Sequence, residues 1–309
     1  PYAENPPDGA IIDYYLNRAV TGGATLEIVE SSGRVIRRYS SRDTSMAPQD
    51  IGNTPRYWIR PTQVLSAVPG FHRFVWDLHY APPAGTSGQP GDYPISATPH
   101  NTPREPRGPW AIPGQYTVRL NVGGKSYSQT LTIRMDPRVK TPPPAIAQEH
   151  ALAVALFDGV AADSAAVEQA RLLRDQLRAA RERVANDASL VAAIAAVDDS
   201  IVAVAGQGPA GGGRRGGGGG GGGAGGGRGR GGAAAGPTFA SLSGELQSLM
   251  ALLEDADVEP TTQAVAAVRL ALQNQARLVT RWTAIRTTAI PALNAKLRAA
   301  NQSEIAITK

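Results

Sequence analysis

Apolar positions recur at every second residue through the first 136 residues and at every third or fourth residue after them. Period alone therefore divides the chain before any motif is read. Residues 24–29 alternate and place Leu26 and Ile28 on one face, Ser31, Ser32 and Gly33 make a hairpin turn, and residues 34–39 return. Residues 10–16 form a β-rich run behind the turn Pro6, Pro7, Asp8, Gly9, and further runs cover 70–78, 114–121 and 127–134. Short alternating strands bounded by turn residues predict an immunoglobulin-like antiparallel β-sandwich over residues 1–136. Residues 82–113, rich in Pro and Gly, are too long for a hairpin and predict an ordered loop packed over one end.

Beyond Asp136 and Pro137 the period becomes helical. Leu156, Val160, Val167, Ala170, Leu173, Leu177, Ala180 and Val184 make one stripe, and Glu168, Arg171, Asp175, Arg178 and Glu182 lie on the opposite face at ion-pair spacing. A helix over 144–185 is predicted, roughly 60 Å long. Leu190, Ile194, Val197, Ile201 and Val204 predict a second helix. A third follows from Leu242, Leu246, Leu249 and Leu253, and a last from Val265, Val268, Leu272, Val279, Trp282, Leu293 and Leu297, with a kink expected at Pro291. The expected fold is β then α. The sandwich occupies 1–136, the first half of an antiparallel helical bundle 137–206, a disordered Gly/Arg-rich tract 207–236, and the second half of the bundle 237–309.

Composition changes this picture mainly through that tract. Twenty of the 35 glycines lie between Gly206 and Gly236, together with Arg214, Arg215, Arg228 and Arg230 and no acid. Outside it stand 27 basic against 26 acidic side chains, so the net charge of +5 does not describe a basic binding face on the folded regions. The absence of Cys excludes disulfides, thiolate metal sites and cysteine nucleophiles. No uninterrupted apolar run approaches the roughly 20 residues of a membrane span, and no span is expected.

Candidate chemistry is sparse. The four histidines (His72, His79, His100, His150) lack metal-ligand spacing, and the serines lack a nucleophile-elbow context. The G-x-G-x-x-G match at Gly206, Gly208 and Gly211 is followed by poly-Gly where a dinucleotide site needs a helix. Arg228, Gly229 and Arg230 resemble an RNA-binding RGG element, but no Phe or Tyr interleaves, so a linker is favoured over nucleic-acid binding. Trp76 reads as core and Asp77 as a turn cap. Trp58, Trp110, Tyr80 and Tyr93 near the Pro-rich loop are the candidate for a carbohydrate- or peptide-binding aromatic cluster. No residue is assigned a catalytic, cofactor-binding or metal-binding role, and no cofactor is expected.

A family likeness adds to this. Residues 1–10 running into Asp13, Tyr14, Tyr15 and Leu16, then 70–78, 113–118 and 136–139, resemble the C-terminal region of large bacterial exported proteins with sortilin-like β-propellers. Those proteins are commonly labelled glycosyl hydrolases of the neuraminidase-repeat type. Residues 257–262 and the closing helix with Asn294 fit the same region. Residues 26–33, the Gly-led strand ending at Trp76 and Asp77, and residues 113–116 are similar to the Ig-like domain of flagellar hook-capping and secretion-tail proteins. The chain carries no propeller blades and no Asp-box repeats, so any hydrolase activity the resemblance implies belongs to a propeller outside it. The start without Met reads as the middle of a longer, exported chain. The implied role is a non-catalytic region that supports its own propeller or mediates assembly with other subunits. The Ala-rich helix faces also suggest a homo-oligomer. The alternatives are the C-terminal part of a glycan-active hydrolase, and RNA binding through the Gly/Arg tract.

Overall fold

A computed structural model describes residues 7–44, 55–83, 107–206 and 236–307. Two antiparallel sheets are followed by helices. The strands are β1 (Ala10–Leu16), β2 (Ala24–Val29), β3 (Val35–Ser40), β4 (Gly70–Trp76), β5 (Gly114–Val122) and β6 (Lys125–Ile133). One sheet pairs β1 with β4, and the other runs β3-β2-β5-β6. The alternation in β2 works as the sequence requires, for Ala24, Leu26 and Ile28 are all buried. They join Ile36, Phe74, Trp76, Tyr80, Tyr116 and Val118 in one core cluster to which both sheets contribute. Gly123 and Gly124, both at positive φ, close the β5–β6 hairpin in two residues. That turn favours glycine at both positions because its twist matches the strands.

The helices are α1 (Pro143–Arg183), α2 (Ala188–Ala205), α3 (Phe239–Leu253), α4 (Thr262–Ala284) and α5 (Ile290–Ala299). Asp187 caps α2, its carboxylate accepting from the backbone N–H groups of Ser189 and Leu190. A π-helical turn, Ile285–Ala289, joins α4 to α5. Pro291 therefore sits in the first turn of α5, where its missing donor costs little, and the chain stays helical through it. By length and mean hydropathy, α1 and α2 are each apolar enough to cross a bilayer. These helices gain their hydropathy from interspersed alanine, so no uninterrupted apolar run marks them in the sequence.

The chain divides into two compact units, one of Pro1–Phe157 with Met250–Thr262, the other of Asp158–Leu249 with Gln263–Lys309. In the helical unit the α1 stripe is buried at Val160, Ala166, Ala170, Leu173, Leu177, Ala180 and Val184. On α4 the buried stripe is Val268, Ala271, Leu278, Trp282, continued by Ile285. Val279, expected in that stripe, is 44% exposed, and Leu278 takes its place. α2 lies against α5 and the π turn. The exposed face of α1 carries the expected ladder, with Arg171 bridging Glu168 (2.7 Å) and Asp175 (3.4 Å) and Arg178 reaching Asp175.

Candidate functional site

Among the described residues, Trp58, Tyr80 and Trp110 of the expected aromatic cluster make no ring contact with one another. Tyr80 is 2% exposed and belongs to the core, Trp58 stacks edge-on against Tyr57, and Tyr93 lies outside the described residues. Trp110 is exposed and lies against His79, their ring centroids 3.7 Å apart. His79 and Trp110 also form an isolated β-bridge. Burial, reinforced by the Arg107 charge, holds the His79 imidazole down at about 4, so it is neutral at pH 7. Trp76 is fully buried and donates its indole N–H to the His79 carbonyl, while Asp77 accepts from the His79 backbone N–H. Trp76 is thus core and Asp77 a turn cap, held by the positive φ of Leu78. The G-x-G-x-x-G match opens on Gly206, the C-cap of α2, so a helix precedes it. Its remaining residues and the RGG element lie outside the described residues.

Three polar groups meet inside the strand-rich unit. Tyr80 donates its hydroxyl to Glu30 Oε2 at 2.9 Å, and His150 Nε2 stands 3.3 Å from the tyrosine hydroxyl oxygen. Glu30 follows β2, Tyr80 follows β4, and His150 lies early on α1. Burial and the Glu30 carboxylate push the phenol well above its usual range, and burial lowers the His150 imidazole. A neutral phenol bonded to a carboxylate and beside a neutral imidazole has no proton to lose at physiological pH. The arrangement fastens a hairpin end, a core tyrosine and a helix together. On the preceding residue of α1, Glu149 keeps one buried oxygen without a partner, and its carboxyl is raised to about 7 by burial and the nearby Asp257 and Glu254 charges.

The helical unit holds one further buried acid. Asp163 is completely buried, Oδ1 accepts from the Gln275 amide at 2.9 Å, and Oδ2 has no partner. Gln275 also donates to the Gly159 carbonyl at 2.8 Å. Gly159 permits this approach, for a Cβ there would lie 2.9 Å from Leu246 and 3.0 Å from the Gln275 amide. Burial raises the Asp163 carboxyl to about 6. Each polar residue stands at a core position of its helix: Asp163 between Val160 and Ala166, Gln275 between Ala271 and Leu278. A sequence reading that counts only apolar residues skips both. The signal that finds them is the gap in each stripe, which the 3.6-residue period fills with one polar residue.

The strand-rich unit holds a cleft of about 1140 Å³ lined by β1 and its following turn, with β5 and β6 opposite. Its apolar lining includes Ile12, Tyr14, Leu16, Leu120, Val122 and Leu131. Its one acid, Asp13, is held by Arg73 through two hydrogen bonds of 2.9 Å, and no histidine lines it. Among the described residues, no three His, Asp or Glu side chains stand close enough to hold a metal ion. Comparison with protein-family models, with curated proteins and with solved structures gives no match.

Proposed function

We propose that this chain is a non-catalytic structural and interaction region of an exported protein with a sortilin-like β-propeller, supporting that propeller or mediating its assembly. In this reading the two sheets are an Ig-like sandwich and the helices an antiparallel bundle. One observation carries the non-catalytic part. Glu30, Tyr80 and His150 are grouped part-buried, with the tyrosine hydroxyl set between the carboxylate and the imidazole. The open cleft presents apolar, hydroxyl and amide groups, the cations Arg18 and Lys125, and a single, ion-paired carboxylate. Most glycoside hydrolases use two carboxyl groups flanking the bond, and this lining supplies one.

The test has two arms. The purified 309-residue protein is incubated with fluorogenic sialosides and glycosides, and no turnover above buffer is expected; turnover that Tyr80→Phe or Asp13→Asn abolishes would overturn the reading. The gene is then read upstream of Pro1, and the propeller it encodes is co-expressed as a separate chain. Co-purification with residues 1–309 supports the support role. A gene without a propeller, or a propeller that is secreted and active at full level without this region, removes it.

A further inference from the structure

We propose that β6 pairs edge to edge and antiparallel with β6 of a second copy of this chain, joining two four-stranded sheets into one of eight strands. This goes beyond the propeller reading and is independent of it, since either can fail while the other stands. β6 bonds β5 along one side, and among the described residues no strand pairs with its other side. It is nine residues long, exposed from Lys125 through Thr130, with Tyr127 57% exposed. An unpaired edge of this length is a template for another strand unless charge, proline, a bulge or a covering segment blocks it.

The other sheet ends have such blocks. β3 is covered by the next segment, as Ala81 donates its backbone N–H to the Ile36 carbonyl and Arg37 donates to the Tyr80 carbonyl. It also carries Arg37 and Arg38. On β4 the Gln63 side chain accepts from the Val75 backbone N–H, and Arg73 stands mid-strand. β1 has Asp13 at its centre. β6 differs: Ser126 through Thr132 contains no charge, no Pro and no Gly.

The occupant follows from register and side-chain chemistry. In a two-residue hairpin the pair flanking the turn, here Val122 and Lys125, exchanges both main-chain bonds, so odd-numbered residues of β6 bond β5. The main-chain groups of Ser126, Ser128, Thr130 and Thr132 then point to the open edge. A two-fold axis at Gln129 sets Ser128 against Thr130 and Ser126 against Thr132 of the other copy, using all four outward residues on each strand. On the cleft face it sets Tyr127 against Leu131, and on the other face every pair is Ser with Thr, both favourable cross-strand combinations. The one charge in the strand, Lys125, falls opposite Ile133, so no like charges meet. A strand complementary to itself over its full length, with nothing to repel its copy, fits a second β6.

Sedimentation equilibrium of the 309-residue protein is the first measurement, and a concentration-dependent dimer is expected. Thr130→Pro removes an outward donor without touching the β5 ladder, and Gln129→Lys places two ammonium groups face to face. Each is expected to weaken association by roughly tenfold or more while leaving the thermal midpoint unchanged. Gln129→Cys supplies a separate readout in a chain with no cysteine. At a non-hydrogen-bonded pair on the axis, Cα atoms stand about 4.5 Å apart, within disulfide range. Mild oxidation should therefore give a covalent dimer. Ser126→Cys, about 20 Å from its own copy in this register, should not cross-link. A chain that stays monomeric to the highest concentration overturns the proposal. So does a dimer that survives both Thr130→Pro and Gln129→Lys, or equal cross-linking at positions 126 and 129.

Discussion

A polar cluster in the strand-rich unit and a buried acid in the helical unit are held in opposite ways. In the strand-rich unit Glu30, Tyr80 and His150 come from three elements distant in sequence, and the tyrosine hydroxyl is satisfied on two sides. In the helical unit one carboxyl, Asp163, sits inside an apolar stripe with a single donor and one oxygen left over. Loops and strand ends can bring three polar groups to one point because their backbones turn freely. Two packed helices offer a fixed face, so a polar residue there meets whatever the facing helix presents at that height, here Gln275. The first arrangement gives the core hydroxyl an acceptor. The second costs stability once Asp163 ionises.

The largest effect should come from the shared core of the strand-rich unit. Trp76→Ala empties a fully buried indole site and leaves the His79 carbonyl without its donor. It should cost about 4 kcal/mol in urea unfolding. Next is the buried acid. The folded carboxyl of Asp163 titrates at about 6 against an ordinary 3.8. Below pH 4 the acid is neutral in both states; between about 4 and 6 the native state holds a proton that the unfolded state has released, so stability falls as pH rises. Asp163→Asn should therefore unfold like the parent at pH 4 and be more stable by about 2 kcal/mol at pH 8. Equal stability at pH 8 would remove the contrast between the units.

Tyr80→Phe tests the other side of it. Glu30 and His150 lose their common partner, and a loss of about 1–2 kcal/mol is expected at pH 7 by chemical denaturation. A neutral result would mean that the two groups find water as easily as they found the phenol. A smaller, spectroscopic effect separates the causes of the two raised acids. Asp257→Asn removes a like charge near Glu149, so carboxyl NMR should show the Glu149 titration move down from about 7 while that of Asp163 stays in place. Smallest of all, Arg171→Ala breaks the exposed ladder with Glu168 and Asp175 and should leave the unfolding midpoint unchanged within measurement.

Much of the secondary structure was legible in the residues. The bounds of β1 and β2 follow from alternation framed by turn residues, and the helices from three- and four-residue steps. β6 begins at Lys125, two residues ahead of the apolar signal at Tyr127, because the Gly123–Gly124 turn and not hydrophobicity starts it. On α4 the reading chose Val279 over Leu278 because it passed over Gln275, whose place in the stripe shows which face is buried. Tyr80 departs from the expected exposed aromatic cluster for a different reason. Proximity to one loop in sequence does not decide which rings point inward, and Tyr80 is drawn into the core by the strands around it.

The order of elements, the change of period near Asp136, the near-neutral folded regions and the ladder on α1 are properties of the sequence alone, because each depends on residues a few positions apart. Tertiary structure decided the rest. It brought Glu30, Tyr80 and His150 to one point across separations of 50 and 70 residues, and matched the gap at Asp163 to the gap at Gln275 across 112. Among the described residues it left the outer side of β6 unpaired. Such pairings depend on which surfaces meet, and local pattern carries no record of that.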